Sequence, residues 1–160
     1  MLFAIHAVGR MKAGPERELY KRYAGRVENA GRNIGINGLA LRELAESRLP
    51  DARARREQEA VSLLAGFRPG AVMIALDENG KDISSNGLAQ LVRTELDRGT
   101  PEVAFIIGGP DGHDPIALEK ATMSMRFGSL TWPHQLVRIM LAEQLYRAVT
   151  ILSGHPYHRN

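Results

Sequence analysis

Apolar residues in this chain come in short unbroken runs, each closed by a glycine, a proline or an acidic residue. Leu2–Val8 is the first and stops at Gly9. Ala71–Leu76 ends at Asp77, and Val103–Ile107 ends at Gly108. Runs of this length without polar alternation predict strands buried on both faces. Met125–Thr131 predicts a further strand, ending at Trp132-Pro133. The least regular segment holds Ile34, Ile36, Leu39 and Leu41, with Gly35 and Gly38 between them. It predicts a second strand weakened by its glycines. Asp77-Glu78-Asn79-Gly80 predicts a turn straight after the third strand.

Helical patterns fill the intervals. Gly14-Pro15 opens one, with Pro at its first position and Glu16 near its positive end, and it runs to about Glu28. Its basic side carries Arg17, Lys21, Arg22 and Arg26. A second starts at Leu49-Pro50-Asp51 and runs to about Ala65, where Arg53/Glu57 and Arg55/Glu59 are spaced to pair along one face. Ser84 or Ser85 caps a third, which ends before Gly99. Asp114-Pro115 caps a short fourth to about Ala121. Pro133 begins the last, with Val137, Met140, Leu141, Leu145, Ala148, Ile151 and Leu152 at helical spacing, and Gly154 ends it. Strand and helix alternate throughout, which predicts one α/β domain over residues 1–160, its mostly parallel sheet flanked by helices.

Composition narrows the chemistry. The 160 residues include no cysteine, which excludes disulfides, thiolate metal sites and cysteine nucleophiles. No apolar run approaches the ~20 residues of a membrane-spanning helix. The Met1–Val8 segment is short and lacks a charged leader, so a cytoplasmic protein is expected. Charge is nearly balanced, with 21 Lys and Arg against 18 Asp and Glu. A net charge of +3 points only weakly to a polyanionic partner. His6, His113, His134, His155 and His158 show no metal-ligand spacing with a carboxylate, so no metal is expected.

The candidate site lies in the last third. Gly108-Gly109-Pro110-Asp111-Gly112 follows a strand, where glycines let backbone groups approach a ligand. It has neither the dinucleotide fingerprint nor the Gly-Lys-Ser/Thr ending of a phosphate loop. His6, in a core strand, reads as a structural histidine, and Met123, Met125 and Met140 as core packing. Arg53, Arg55 and Arg56 read as a solvated helix face. Arg138 and Arg147 interrupt an apolar helix and need partners, either a carboxylate such as Glu143 or Glu119, or phosphate. His155-Pro156-Tyr157-His158-Arg159 combines an aromatic, a cation and two imidazoles, a set able to stack a base and hold a phosphate.

At these residues the chain resembles the RlmH-type methyltransferases of the SPOUT superfamily. The resemblance is carried by Phe105–Gly112, by Leu130–Ala148 and by His155–Arg159, and is supported by Ala7–Lys12 and Tyr20-Lys21-Arg22. Asn29–Arg68 diverges, with a lysine-rich stretch largely missing. Asp111 stands where many members carry Glu, and Trp132 where Leu is usual. The resemblance implies a C-terminal trefoil knot, an exception to the rule against threaded chains. It also implies a homodimer with much of its contact on the last helix, and S-adenosylmethionine as cofactor. The implied substrate is N3 of a pseudouridine in 23S ribosomal RNA, within the assembled ribosome. It further implies that Leu76, Gly108, Phe127, Gly128, Ser129, Leu130, Thr131 and Trp132 line the cofactor and that the tail closes over the site.

The chemistry assigns expected roles. The imide N3–H must lose a proton to become a nucleophile, and histidine titrates in the right range. His134 or a tail histidine, His155 or His158, is expected to handle that proton. Arg138 or Arg159 is expected to stabilise charge or hold phosphate, and Tyr157 to stack the base. Two other readings stand beside this one: a SPOUT enzyme acting on transfer RNA, and a binding module for an adenine-containing ligand that has lost catalysis.

Overall fold

The computed structural model describes residues 1–157, so His158 and Arg159 lie outside the described residues. Five strands form one sheet: β1 Leu2–Val8, β2 Leu39–Leu44, β3 Val72–Asp82, β4 Glu102–Ile107 and β5 Met123–Arg126. Five α-helices connect and cover them: α1 Pro15–Gly31, α2 Ala52–Leu64, α3 Ser85–Asp97, α4 Pro115–Lys120 and α5 His134–Ser153. The strand order is β2-β1-β4-β3-β5 and every pairing is parallel.

Two apolar layers explain the uninterrupted runs. Successive side chains of a strand point to opposite faces. Phe3, Ile5, Ile74, Val103, Phe105 and Ile107 pack with residues of α1, α3 and α5. Val8, Met73, Ala75 and Ile106 pack with residues of α2 and α4. Strand β4 is central and buried along its whole length. Each large apolar side chain buried in this way contributes roughly 1.5–3 kcal/mol over leaving it exposed. His6 is buried in the second layer, its ring stacked on Phe67 with centroids 4.5 Å apart and Nδ1 3.4 Å from the Leu63 carbonyl. That is the structural histidine expected of it. Met125 is buried in the first layer, with Met123 packed against it.

The sheet departs from the sequence pattern in three places. Strand β2 begins at Leu39, because Arg32–Ile34 forms a 3-10 turn closed by Gly35 at φ +83°. Ile36 is buried, but as a plug beneath the turn and not as a strand residue. Residues 77–80 do not form a separate turn. Strand β3 continues through them to Asp82 with a register shift, so that Met125 faces both Leu76 and Lys81. Gly80 permits this, since a Cβ there would lie 2.6 Å from the Met125 carbonyl carbon. Strand β5 is correspondingly short, ending at Arg126, and residues 127–133 are irregular. The bidentate pair of Arg126 with Asp82, at 3.0 and 2.8 Å, fastens the extended β3 to β5.

The path to the last helix positions the site. From β4 the chain crosses β3 through α4 to reach β5 at the sheet edge. From β5, residues 127–133 lead back to α5, which packs with α1 and α3 on the opposite face. The register shift of β3 at Leu76–Glu78, the C-terminal ends of β4 and β5 and the start of α5 therefore converge.

Candidate cofactor site

A cavity of about 280 Å³ opens where those elements meet. Its floor is apolar, made by Leu76, Ile107, Met125 and Val137, and Leu130 and Trp132 stand on one side. Of the residues expected to line a cofactor, Leu76, Gly108, Phe127, Gly128, Leu130, Thr131 and Trp132 all line it. Ser129 belongs to the same loop but is exposed and outside the lining.

The glycine loop forms one wall. Gly112 N–H donates to the Gly109 carbonyl at 2.9 Å and Gly112 sits at φ +82°, which closes a tight turn. A Cβ on Gly108 would lie 2.9 Å from the Gly112 carbonyl oxygen, and one on Gly109 would lie 2.6 Å from Glu59 Oε2. These two glycines are thus required by the loop's own packing as much as by access for a ligand. Asp111 fixes the loop from outside, accepting from Arg55 Nε at 2.6 Å and from its Nη2 at 3.0 Å. The Arg55 guanidinium holds the Asp111 carboxyl below its usual pKa. Only Arg53 makes the expected pair along α2, with Glu57 at 2.8 Å. Arg55 does not pair with Glu59, which is buried and accepts from Ser47 N–H at 2.9 Å. Residue spacing on the helix could not reveal a partner 56 residues away in the glycine loop.

His113 closes the same loop. Its Nε2 lies 3.0 Å from the Leu76 carbonyl oxygen and 3.2 Å from the Gly108 nitrogen. Burial holds its pKa below the usual imidazole value, against the opposing pull of the Leu76 carbonyl, Asp77 and the Ile106 carbonyl. The sequence marks it only as one histidine among five, one residue beyond a glycine run.

His134 is the first residue of α5 and lines this cavity and a second one of about 480 Å³. Burial and then the nearby Arg138 charge lower its pKa, with Glu46 and Glu59 opposing. Burial and the Arg138 charge both favour the neutral imidazole, the form able to accept a proton.

Arg138 lines the second cavity but is committed to the fold. It is 1% exposed, and its Nη2 donates to the carbonyls of Val8 at 2.6 Å and Gly9 at 3.1 Å. Its Nη1 donates to Glu43 Oε1 at 3.2 Å. The partner is Glu43 of β2, neither Glu143 nor Glu119. Glu43 is held in turn by Met11 N–H at 2.5 Å and Arg17 at 2.7 Å. A guanidinium engaged in this way ties α5 to the end of β1, and only its Nε is left without a partner among the described residues. Arg147 does pair with Glu143, at 2.6 Å.

Tyr157 lies away from the cavity within its own chain. Its hydroxyl donates to Glu143 Oε1 at 3.1 Å, and its ring packs on Tyr146 at 4.6 Å and under Arg147 at 5.1 Å. Burial, then Tyr23 and Glu143, push its pKa up to about 12. Among the described residues no cluster of three or more His, Asp or Glu could hold a metal ion. Among the same residues no helix is long and apolar enough to cross a membrane.

Comparison with known proteins decides the family. Residues 1–158 match the family described as "Predicted SPOUT methyltransferase". The chain belongs to the SPOUT methyltransferase family. It is 50% identical over 159 residues to ribosomal RNA large subunit methyltransferase H of Mesorhizobium japonicum, covering 99% of each chain. It is 52% identical over 156 residues to the protein of the same name from Chelativorans sp., covering 98% of this chain and 90% of that one. The aligned stretches run through the divergent Asn29–Arg68 segment as well.

For a SPOUT methyltransferase the cavity has suitable contents. The trefoil knot implied by the resemblance fits the crossing of residues 127–133 from the sheet edge to the α5 face. The cofactor implied by it, S-adenosylmethionine, has an apolar heteroaromatic ring, hydrogen-bonding edges and a cationic sulfonium. The cavity meets these with an apolar floor, backbone groups of Leu76 and Gly108, and the carboxylates of Asp77 and Glu78.

Proposed function

We propose that this chain is a single-domain ribosomal RNA methyltransferase that uses S-adenosylmethionine to methylate N3 of a pseudouridine in 23S RNA of the assembled ribosome. The observation that carries the reading is the cavity between Leu76–Glu78 of β3 and the ends of β4 and β5, with His134 at its junction with a second cavity. The near-full-length relatives bearing the name ribosomal RNA large subunit methyltransferase H support the substrate class.

Leu76, Gly108 and the Phe127–Trp132 loop hold the cofactor, which when bound supplies an activated methyl group. The enzyme then has chiefly to align donor and acceptor. The acceptor nitrogen enters from the His134 side. A ring nitrogen of His134 would take the N3 proton, leaving on N3 the lone pair that a methyl acceptor needs. Burial and the Arg138 charge favour the unprotonated form of the imidazole, the one a proton acceptor needs. Arg138 fixes the position of His134 by binding the start of α5 to β1.

The reading includes a homodimer and a cytoplasmic location. Within its own chain Tyr157 is held at Glu143, nine residues into α5 from His134, a rise of about 13 Å along the helix. A tail from a second copy is the natural cover for the cavity. Leu130, Trp132 and Leu136 leave apolar surface beside the opening for such a partner.

The test combines purified protein, labelled S-adenosylmethionine and ribosomes from a strain lacking the modification. Transfer of label to one pseudouridine of 23S RNA, mapped by nuclease digestion and mass spectrometry, is the expected result. Label appearing instead in transfer RNA would replace the substrate. Cofactor binding with no transfer to any RNA would leave the binding-module reading.

A further inference from the structure

The glycine loop contains a hydrogen-bonding conflict. Three polar groups compete at the His113 ring, with the Ile106 carbonyl as a further pull on its proton: the Leu76 carbonyl at 3.0 Å from Nε2, the Gly108 N–H at 3.2 Å from the same atom, and Nδ1. Nδ1 is shielded from solvent and has no hydrogen-bond partner among the described residues. A neutral imidazole carries one N–H and one lone pair. With the proton on Nδ1, Nε2 accepts from Gly108, but Nδ1–H is stranded and the Leu76 carbonyl faces a lone pair. With the proton on Nε2, it donates to Leu76, and the Gly108 N–H is left pointing at another N–H. Neither tautomer satisfies all three groups, and an unpaired buried donor is expensive.

The conflict lies against the proposed cofactor site. Leu76, Gly108 and His113 all line the same cavity. A ligand acceptor that takes the Gly108 N–H leaves Nε2–H free to donate to the Leu76 carbonyl, with no donor stranded, and the conflict ends. An aminopurine edge, with adjacent donor and acceptor, can engage either group. We propose that His113 is a positioning residue that sets the hydrogen-bonding edge presented by this cavity, with its tautomer coupled to occupancy by an adenine-bearing ligand. This rests on the reading of the cavity as a cofactor site. The role belongs to His113 and not to His134: His134 faces the junction of the two cavities, whereas His113 faces the strand ends. Asp77 and Glu78 of β3, Asp111 in the loop, Arg126 of β5 and His134 of α5 are the other charged or titratable groups around the same cavity.

The test uses the full chain labelled with ¹⁵N-histidine, titrated at neutral pH with S-adenosylhomocysteine, the stable product form of the cofactor. Without ligand, the His113 nitrogens are expected at positions averaged between the two tautomers. At saturation they are expected at the positions of one tautomer. Calorimetry on His113→Leu is expected to show about tenfold weaker binding, the loss of one oriented hydrogen bond. The unfolding temperature of the ligand-free variant is expected to be unchanged or raised, because the imidazole is not satisfied there. A residue that merely supports the loop would lower it. If the wild-type chain binds and the His113 nitrogens do not respond, or if His113→Leu binds equally well, the positioning role is wrong while the cofactor site stands. If the wild-type chain does not bind the ligand, the cofactor reading of the cavity falls and this role with it.

Discussion

The two walls of the cavity are built on opposite principles. Gly108–His113 is clamped: Asp111 is held by Arg55, Gly112 is hydrogen-bonded to Gly109, and His113 reaches Leu76 of β3 and Gly108 at the end of β4. Phe127–Trp132 is open. Leu130 is 70% exposed and Trp132 is 38% exposed. The Trp132 indole N–H donates to the Phe127 carbonyl at 2.9 Å, a single tie within the loop itself. The clamped wall can offer fixed backbone groups to a ligand at little ordering cost, while the open wall supplies apolar surface that a ligand can order. The difference suits a site that must recognise a cofactor and also admit a large RNA.

The largest effect belongs to His134, where the two cavities meet. His134→Ala is expected to lower the single-turnover transfer rate by roughly 10²–10⁴, with little change in cofactor affinity by calorimetry. Next comes a contrast between glycines of the two walls. Gly109→Ala puts a Cβ against Glu59 and 3.1 Å from Val8, so denaturant unfolding should show a loss of about 1–3 kcal/mol. Gly128→Ala meets no neighbouring atom within 4 Å and suffers only the strain of φ +83°, about 1 kcal/mol. Equal losses at the two positions would erase the distinction between the walls.

Smaller effects sharpen it. Trp132→Ala should weaken cofactor binding several-fold while stability moves by no more than about 0.5 kcal/mol. Arg55→Ala should release the clamped wall, seen as faster amide exchange over residues 109–112 and weaker cofactor binding. The pH dependence follows from His6, His113 and His134, all with pKa values lowered mainly by burial. The folded state binds these protons less tightly than the unfolded chain. Stability is therefore highest above the unfolded histidine pKa of about 6.5 and falls as pH drops below it, until the folded values are passed. Unfolding temperatures measured between pH 8 and pH 5, as round settings on either side of that value, check the sign.

The strands were legible because a sheet covered on both faces demands continuous apolar runs, as in Val103–Ile107. The family resemblance pointed to the cavity lining, since those residues lie close together along the last third of the chain. Contacts between segments remote in sequence were not legible. Arg138 meets Glu43, 95 residues away, only because β1 and β2 are neighbours in the sheet. Arg55 meets Asp111 because α2 and the glycine loop share one face. The extension of β3 through Gly80 hid behind four residues that ordinarily make a turn, and only its pairing to Met125 reveals it. His113 carried no signal at all, since nothing local shows that a loop histidine folds back onto two strand ends.

Hydrogen exchange of the full chain with and without S-adenosylmethionine tests the account most directly. Strong new protection is predicted over residues 127–132. Only slight gains are predicted over 108–113, where order already exists. Protection confined to the second cavity, around Arg10 and Glu46, or equal protection of both loops, would contradict the assignment of one fixed and one closing wall.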